Sequence, residues 1–180
     1  MEDLSLHILD LAENSIDAGA GRIWITLRED RTADTFTMTL RDNGKGMDTE
    51  TLQKIADPFF STKTVRSRKF GLGIPLLAQA AHECNGRFSV VSSPGEGTTV
   101  TVEFRLGHID RKPLGDMGAT MMVLVSGHPE IDFSLTYEAD GFLYSFDTAA
   151  LREELEGMPL SLPSVLQLIK KDINTSLGGH

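Results

Sequence analysis

Three groups of residues in this 180-residue chain have the types and spacing that chemistry requires. In the first apolar-periodic segment, His7, Asp10, Asn14 and Asp17 recur at three- and four-residue intervals, which sets them in one stripe of a helix. The stripe is rich in carboxylate and amide oxygens and holds no Lys or Arg. Such oxygens are what Mg²⁺ accepts when phosphate and water complete its shell. The second group is Arg41-Asp42-Asn43-Gly44-Lys45-Gly46-Met47. Its two glycines let the backbone come close to a flat ligand, and an Asp there can accept a hydrogen bond from an exocyclic amine such as that of adenine. The third group is basic: Lys63, Arg66, Arg68 and Lys69, with no acid between them, run into Gly71-Leu72-Gly73 at a predicted helix start. Glycine-exposed amides aided by the helix dipole favour phosphate there. Each group also has a plain structural reading, as a solvated helix face, a hairpin turn and a surface loop. A lone His such as His7 on a helix face is more often structural than functional. The glycine spacing fits neither GxxxxGK[ST] nor GxGxxG.

The elements that must position these groups follow from periodicity. Leu4, Ile8, Leu11, Ala12 and Ile16 predict a helix over 3–18, ended by Gly19 and Gly21. Alternation at Ile23, Ile25 and Leu27 and at Phe36, Met38 and Leu40 predicts two half-buried strands. A short helix (48–55), an irregular basic stretch (57–71), a helix (72–84) and two strands (87–91 and 98–106) complete this part. Hairpins set beside segregated helices imply an α+β fold, a two-layer α/β sandwich. After it, a run of Gly, Pro and charges at 108–118 reads as a linker between residues 1–107 and a small α+β module at 119–180. That module opens on the apolar run Met121–Val125. A hairpin turning at Asp140-Gly141 follows, then a short helix capped by Asp147 or Thr148, then a helix from Pro163 to about Ser176.

Taken in order, these segments resemble the Bergerat-fold, or GHKL, ATP-binding family, most nearly the ATP-binding catalytic domain of histidine kinases. Asp10-Leu-Ala-Glu-Asn14-Ser-Ile-Asp17-Ala-Gly resembles the N box of that family, and Asp42–Met47 its G1 box. Pro58-Phe-Phe-Ser-Thr62-Lys63 is similar to the F box, Phe70-Gly71-Leu72-Gly73-Ile74 to the G2 box, and Gly95-Glu-Gly-Thr98 to the closing G3 segment. The resemblance covers residues 4–106. It implies that Asn14 ligates Mg²⁺, that Asp42 takes the adenine amine, and that Gly44, Gly46, Met47 and Thr98 shape the base pocket. Asp17 would join the ATP site, and Thr62, Lys63, Gly71, Leu72 and Gly73 would belong to a lid over the phosphates. Where hydrolysing members carry Glu four residues before the Asn, this chain has Asp10, one methylene shorter; it is the candidate catalytic residue. Lys69 stands where many histidine kinases have another Gly. The edge strand that the family sets ahead of its first helix is missing, and strands of the tail are candidates for its place. No phosphoacceptor helix pair precedes the N box, so the phosphoacceptor is expected on another chain.

The resemblance therefore implies phosphoryl transfer from ATP-Mg²⁺ to a partner protein in signalling. Alternatives are an ATP-dependent conformational switch of the anti-sigma type and a slow ATPase. The partners expected are ATP, an unidentified protein and a second copy in a homodimer. A net charge of −9 disfavours a nucleic-acid footprint. No run approaches the roughly 20 apolar residues of a membrane helix, and a single cysteine, Cys84, suits a reducing compartment. A cytoplasmic protein without nucleic-acid or membrane partners is expected.

Overall fold

A computed structural model describes residues 3–56 and 73–178. Helix α1 (Leu4–Asp17) begins where the Asp3 side chain accepts a hydrogen bond from the Leu6 amide, satisfying one of the free N–H groups of the first turn. Its Leu4, Ile8, Leu11, Ala12 and Ser15 are buried. Strands β1 (Arg22–Asp30) and β2 (Thr35–Asp42) form an antiparallel hairpin. They are followed by α2 (Thr49–Ala56), α3 (Gly73–Glu83), and the hairpin β3 (Arg87–Ser93) and β4 (Gly97–Arg105). The apolar run near residue 121 lies in a helix, α4 (Met117–Gly127). Then come β5 (Asp132–Ala139) and β6 (Phe142–Asp147), joined at Asp140-Gly141, both with positive φ as a two-residue hairpin turn requires. Helices α5 (Thr148–Glu154), capped by Asp147, and α6 (Pro163–Leu177), with Pro163 in its first turn, close the chain.

All six strands lie in one sheet of order β3-β4-β2-β1-β5-β6. Every neighbouring pair is antiparallel except β1 and β5, which run parallel with Ile25 beside Leu135. The expected two-layer sandwich is thus observed, and strands of the tail extend the sheet beyond β1. Residues 113–114, inside the expected linker, pack on α1: the Leu4 and Ser5 amides donate to the carbonyls of Pro113 and Leu114. One face of the sheet is apolar. Ile23, Ile25, Leu27, Met38, Leu40, Val100, Val102, Phe133 and Leu135 share a single core with Leu4 and Ile8 of α1, Leu77 of α3, Met121 of α4 and Ile169 and Ile173 of α6. The opposite face carries short polar side chains, and register aligns Ser89, Thr101, Thr39, Thr26, Thr136 and Ser145 in a row across all six strands. Trp24 lies on that face between the Arg22 and Arg41 guanidinium groups, 5.4 and 5.1 Å from its ring. Among the described residues, no helix is long and apolar enough to cross a membrane.

Candidate nucleotide site

Between α1 and the ends of β2 and β4 lies a cavity of about 490 Å³. Its walls are apolar at Leu11, Leu40, Ile74 and Val100 and polar at Asn14, Ser15, Asp17, Asp42, Lys45, Asp48, Thr51 and Thr98. Two structural facts bring these residues together. The spacing of α1 that buries Leu11 and Ser15 against the sheet turns Asn14 to the cavity. The end of β2 sits beside the start of β4, which puts Asp42 next to Thr98.

Asp42 is 3% exposed, yet its carboxylate is well provided with donors. Oδ1 accepts from the amides of Gly44 at 2.8 Å and Thr98 at 3.2 Å, and Oδ2 accepts from the Ser15 hydroxyl at 2.7 Å. A carboxylate offers about four lone-pair sites, so one is left for a donor from the cavity. Those three bonds also fix the carboxylate's orientation, which suits recognition of a single amine on a flat ring. Gly46 lets the loop after β2 pass close to β3: with φ +65°, a Cβ there would lie 1.9 Å from the Ser93 carbonyl oxygen. The Met47 amide then donates to the Ser92 hydroxyl at 2.9 Å, and the Gly95 amide donates to the Lys45 carbonyl at 2.7 Å. The turn between β3 and β4 is thereby tied to the loop that follows β2.

Of the residues singled out in the sequence, Asn14, Asp17, Asp42, Gly46, Met47 and Thr98 line this cavity. Gly44 holds Asp42 through its amide. Asp10 and Gly73 meet each other: a Cβ on Gly73 would fall 1.5 Å from Asp10 Oδ2. That oxygen is buried and has no hydrogen-bond partner among the described residues. Thr62, Lys63, Gly71 and Leu72, with the rest of the basic stretch, lie outside the described residues. His7, placed in the polar stripe by its spacing, is 1% exposed, and among the described residues neither ring nitrogen has a hydrogen-bond partner. The helical wheel fails at this point because α1 is covered on more than its sheet side: α3 begins against Asp10, one turn along from His7. Burial first, and then the positive charge of Lys112, push the His7 pKa down to about 4, with Asp3 opposing the shift.

Ser15 and Ser92 were not singled out as functional from the sequence. Their roles rest on partners 27 and 45 residues away, which no local pattern carries. The adjacency of Ser15 to Asn14 in the N-box-like segment was the available signal.

A family model described as "Histidine kinase-, DNA gyrase B-, and HSP90-like ATPase" matches residues 2–108. Sensor protein kinase FleS of Pseudomonas aeruginosa is 35% identical over 95 residues, which make up 53% of this chain and 23% of that protein. Sporulation kinase B of Bacillus subtilis is 34% identical over 103 residues, 56% of this chain and 23% of the kinase. The chain thus spans less than a quarter of the length of these relatives. Among solved structures, the Aquifex aeolicus MutL ATPase domain complexed with ADP superposes with a TM-score of 0.53 at 17% identity, covering 87% of this chain and 68% of that one. The shared architecture is the Bergerat fold. With the family model covering more than half of its length, the chain belongs to the histidine kinase-, DNA gyrase B- and HSP90-like ATPases.

Proposed function

We propose that the cavity binds ATP with Mg²⁺ and that the protein passes the γ-phosphoryl group to a residue of a partner protein. The observation that carries this reading is Asp42, a buried carboxylate with three of its lone pairs occupied and one left for an amine, set in an apolar slot. The kinase names of the relatives support the transfer. In this reading Asp17, Gly44, Gly46, Met47 and Thr98 shape the base pocket, and Thr62, Lys63, Gly71, Leu72 and Gly73 belong to the lid. Asn14 supplies the protein oxygen to the cation. Among the described residues no group of three His, Cys, Asp or Glu side chains could hold a metal. That fits an ion held mainly by phosphate and water, as Mg²⁺ usually is. When bound, Mg²⁺ neutralises charge on the phosphates, and the protein's share is to orient base and phosphates. Residues 119–180 serve the fold by carrying the sheet past β1, and the working protein is cytoplasmic and pairs with a second copy or a phosphoacceptor.

A second reading is slow hydrolysis with Asp10, four residues before Asn14, as the general base: its buried Oδ2 has no hydrogen-bond partner among the described residues, and the start of α3 at Gly73 would have to draw back from it to admit a water. Incubation with γ-labelled ATP, alone and with lysate, separates the readings. Label on a protein is the expected result; free phosphate instead would favour hydrolysis. Tight nucleotide retention with neither would favour a conformational switch, and absence of nucleotide binding would overturn all three.

A further inference from the structure

We propose that Ser92 is a positioning residue that sets the hydrogen-bonding polarity of the cavity floor and thereby helps to tell a 6-aminopurine from a 6-oxopurine. This rests on the reading of the cavity as a nucleotide site. Ser92 lies on β3 directly across from Thr98 on β4. Its hydroxyl oxygen stands 2.9 Å from the Met47 amide nitrogen, 2.9 Å from the Gly97 carbonyl oxygen and 3.0 Å from Thr98 Oγ1.

The protons in this cluster can be assigned by elimination. The Met47 amide can only donate and the Gly97 carbonyl can only accept, whereas a serine hydroxyl has one proton and two lone pairs. The Ser92 proton therefore goes to Gly97. Its lone pairs take the Met47 N–H and the remaining donor, the Thr98 hydroxyl. With its own proton committed to Ser92, Thr98 turns only lone pairs to the cavity. Beside it stands Asp42, whose Oδ1 accepts from the Thr98 amide and whose carboxylate is likewise an acceptor. Two neighbouring acceptors welcome an exocyclic amine and oppose a carbonyl oxygen in the same place. A buried mismatch of that kind costs more than a matched bond contributes. Removing the Ser92 hydroxyl frees the Thr98 proton, which can then turn inward and donate to a 6-oxo group.

The test is calorimetric titration of the full chain with ATP and with ITP, which carries oxygen in place of the 6-amine. Ser92→Ala should narrow the preference for ATP over ITP by about tenfold, while Ser92→Thr, which keeps the hydroxyl, should retain it. Thr98→Val leaves Ser92 bonded to Met47 and Gly97 and should narrow the same preference. On the Thr98→Val background, Ser92→Ala should add nothing further. A merely structural serine would change both affinities together and leave their ratio alone. An unchanged ratio in Ser92→Ala or in Thr98→Val, or a Ser92→Thr protein that behaves as Ser92→Ala, would overturn the role of Ser92 while leaving the nucleotide reading intact. Failure of the unmutated chain to bind either nucleotide would overturn both.

Discussion

At the scale of single residues, α1 carries two side chains whose fates differ although the sequence sets them on one stripe. Asn14 reaches the cavity. If it supplies the protein's oxygen to Mg²⁺, Asn14→Ala should abolish the dependence of ATP binding on Mg²⁺, read as equal affinities with the metal and with a chelator. His7 is buried instead, and its pH behaviour follows. Its folded-state pKa of about 4 lies below the ordinary 6.5, so between those values the unfolded chain binds a proton that the folded protein refuses. Stability rises with pH across that window and is lost as pH falls below 6.5, by about 3 kcal/mol when both forms are compared near pH 4. His7→Leu should flatten this segment of a denaturant-midpoint profile. It should also leave stability at pH 7 no lower, because neither ring nitrogen has a partner to lose among the described residues.

At the scale of elements, the close approach of α3 to α1 depends on the missing side chain of Gly73. Its Cα faces the Asp10 carboxylate, with room for a hydrogen and none for a methyl group. Gly73→Ala should therefore lower the melting temperature, with a loss of about 2 kcal/mol, in the range for overpacking. Asp10→Ala in the same chain should restore most of that loss; if the double variant melts as low as the single one, this contact is not what holds α3 in place. The same scale shows what a reader of the sequence could find. The strands, the Asp140-Gly141 hairpin and the helices other than α4 were legible because each has a local period or turn chemistry of its own; α4 reads only as an apolar run at Met121–Val125, since it is apolar around most of its circumference. Asp42 and Asn14 were legible through motif spacing. The parallel pairing of β5 with β1 was not, because a strand's alternation reveals its buried face and says nothing of its neighbour. The buried state of His7 was hidden for a related reason: periodicity finds one apolar stripe, while a helix wedged between other helices hides polar positions as well. Ser15 and Ser92 escaped notice as functional residues because a serine hydroxyl gains its meaning only from the groups that tertiary structure brings to it.

At the scale of the whole molecule, the core joins the matched family segment to the residues beyond it. Ile23, Ile25 and Leu27 of β1 pack in one cluster with Phe133 and Leu135 of β5 and with Met121 of α4. A fragment of residues 1–107 would expose the β1 edge and the flank of α1 that α4 covers, surfaces that invite aggregation, and would lack part of the shared core. It should lose the cooperative thermal transition of the full chain and bind a hydrophobic dye; a fragment that melts sharply would show that residues 119–180 form a module apart. The β1–β5 seam also bears on how the protein is made. Partners such as Ile25 and Leu135 are roughly 110 residues apart along the chain, among the long-range pairings that delay folding. At the usual pace of about 5–20 residues per second, the ribosome needs on the order of 5–20 s to supply the second partner after the first. For that interval the newborn polypeptide carries a bare strand flank, so its time of greatest hazard falls during synthesis.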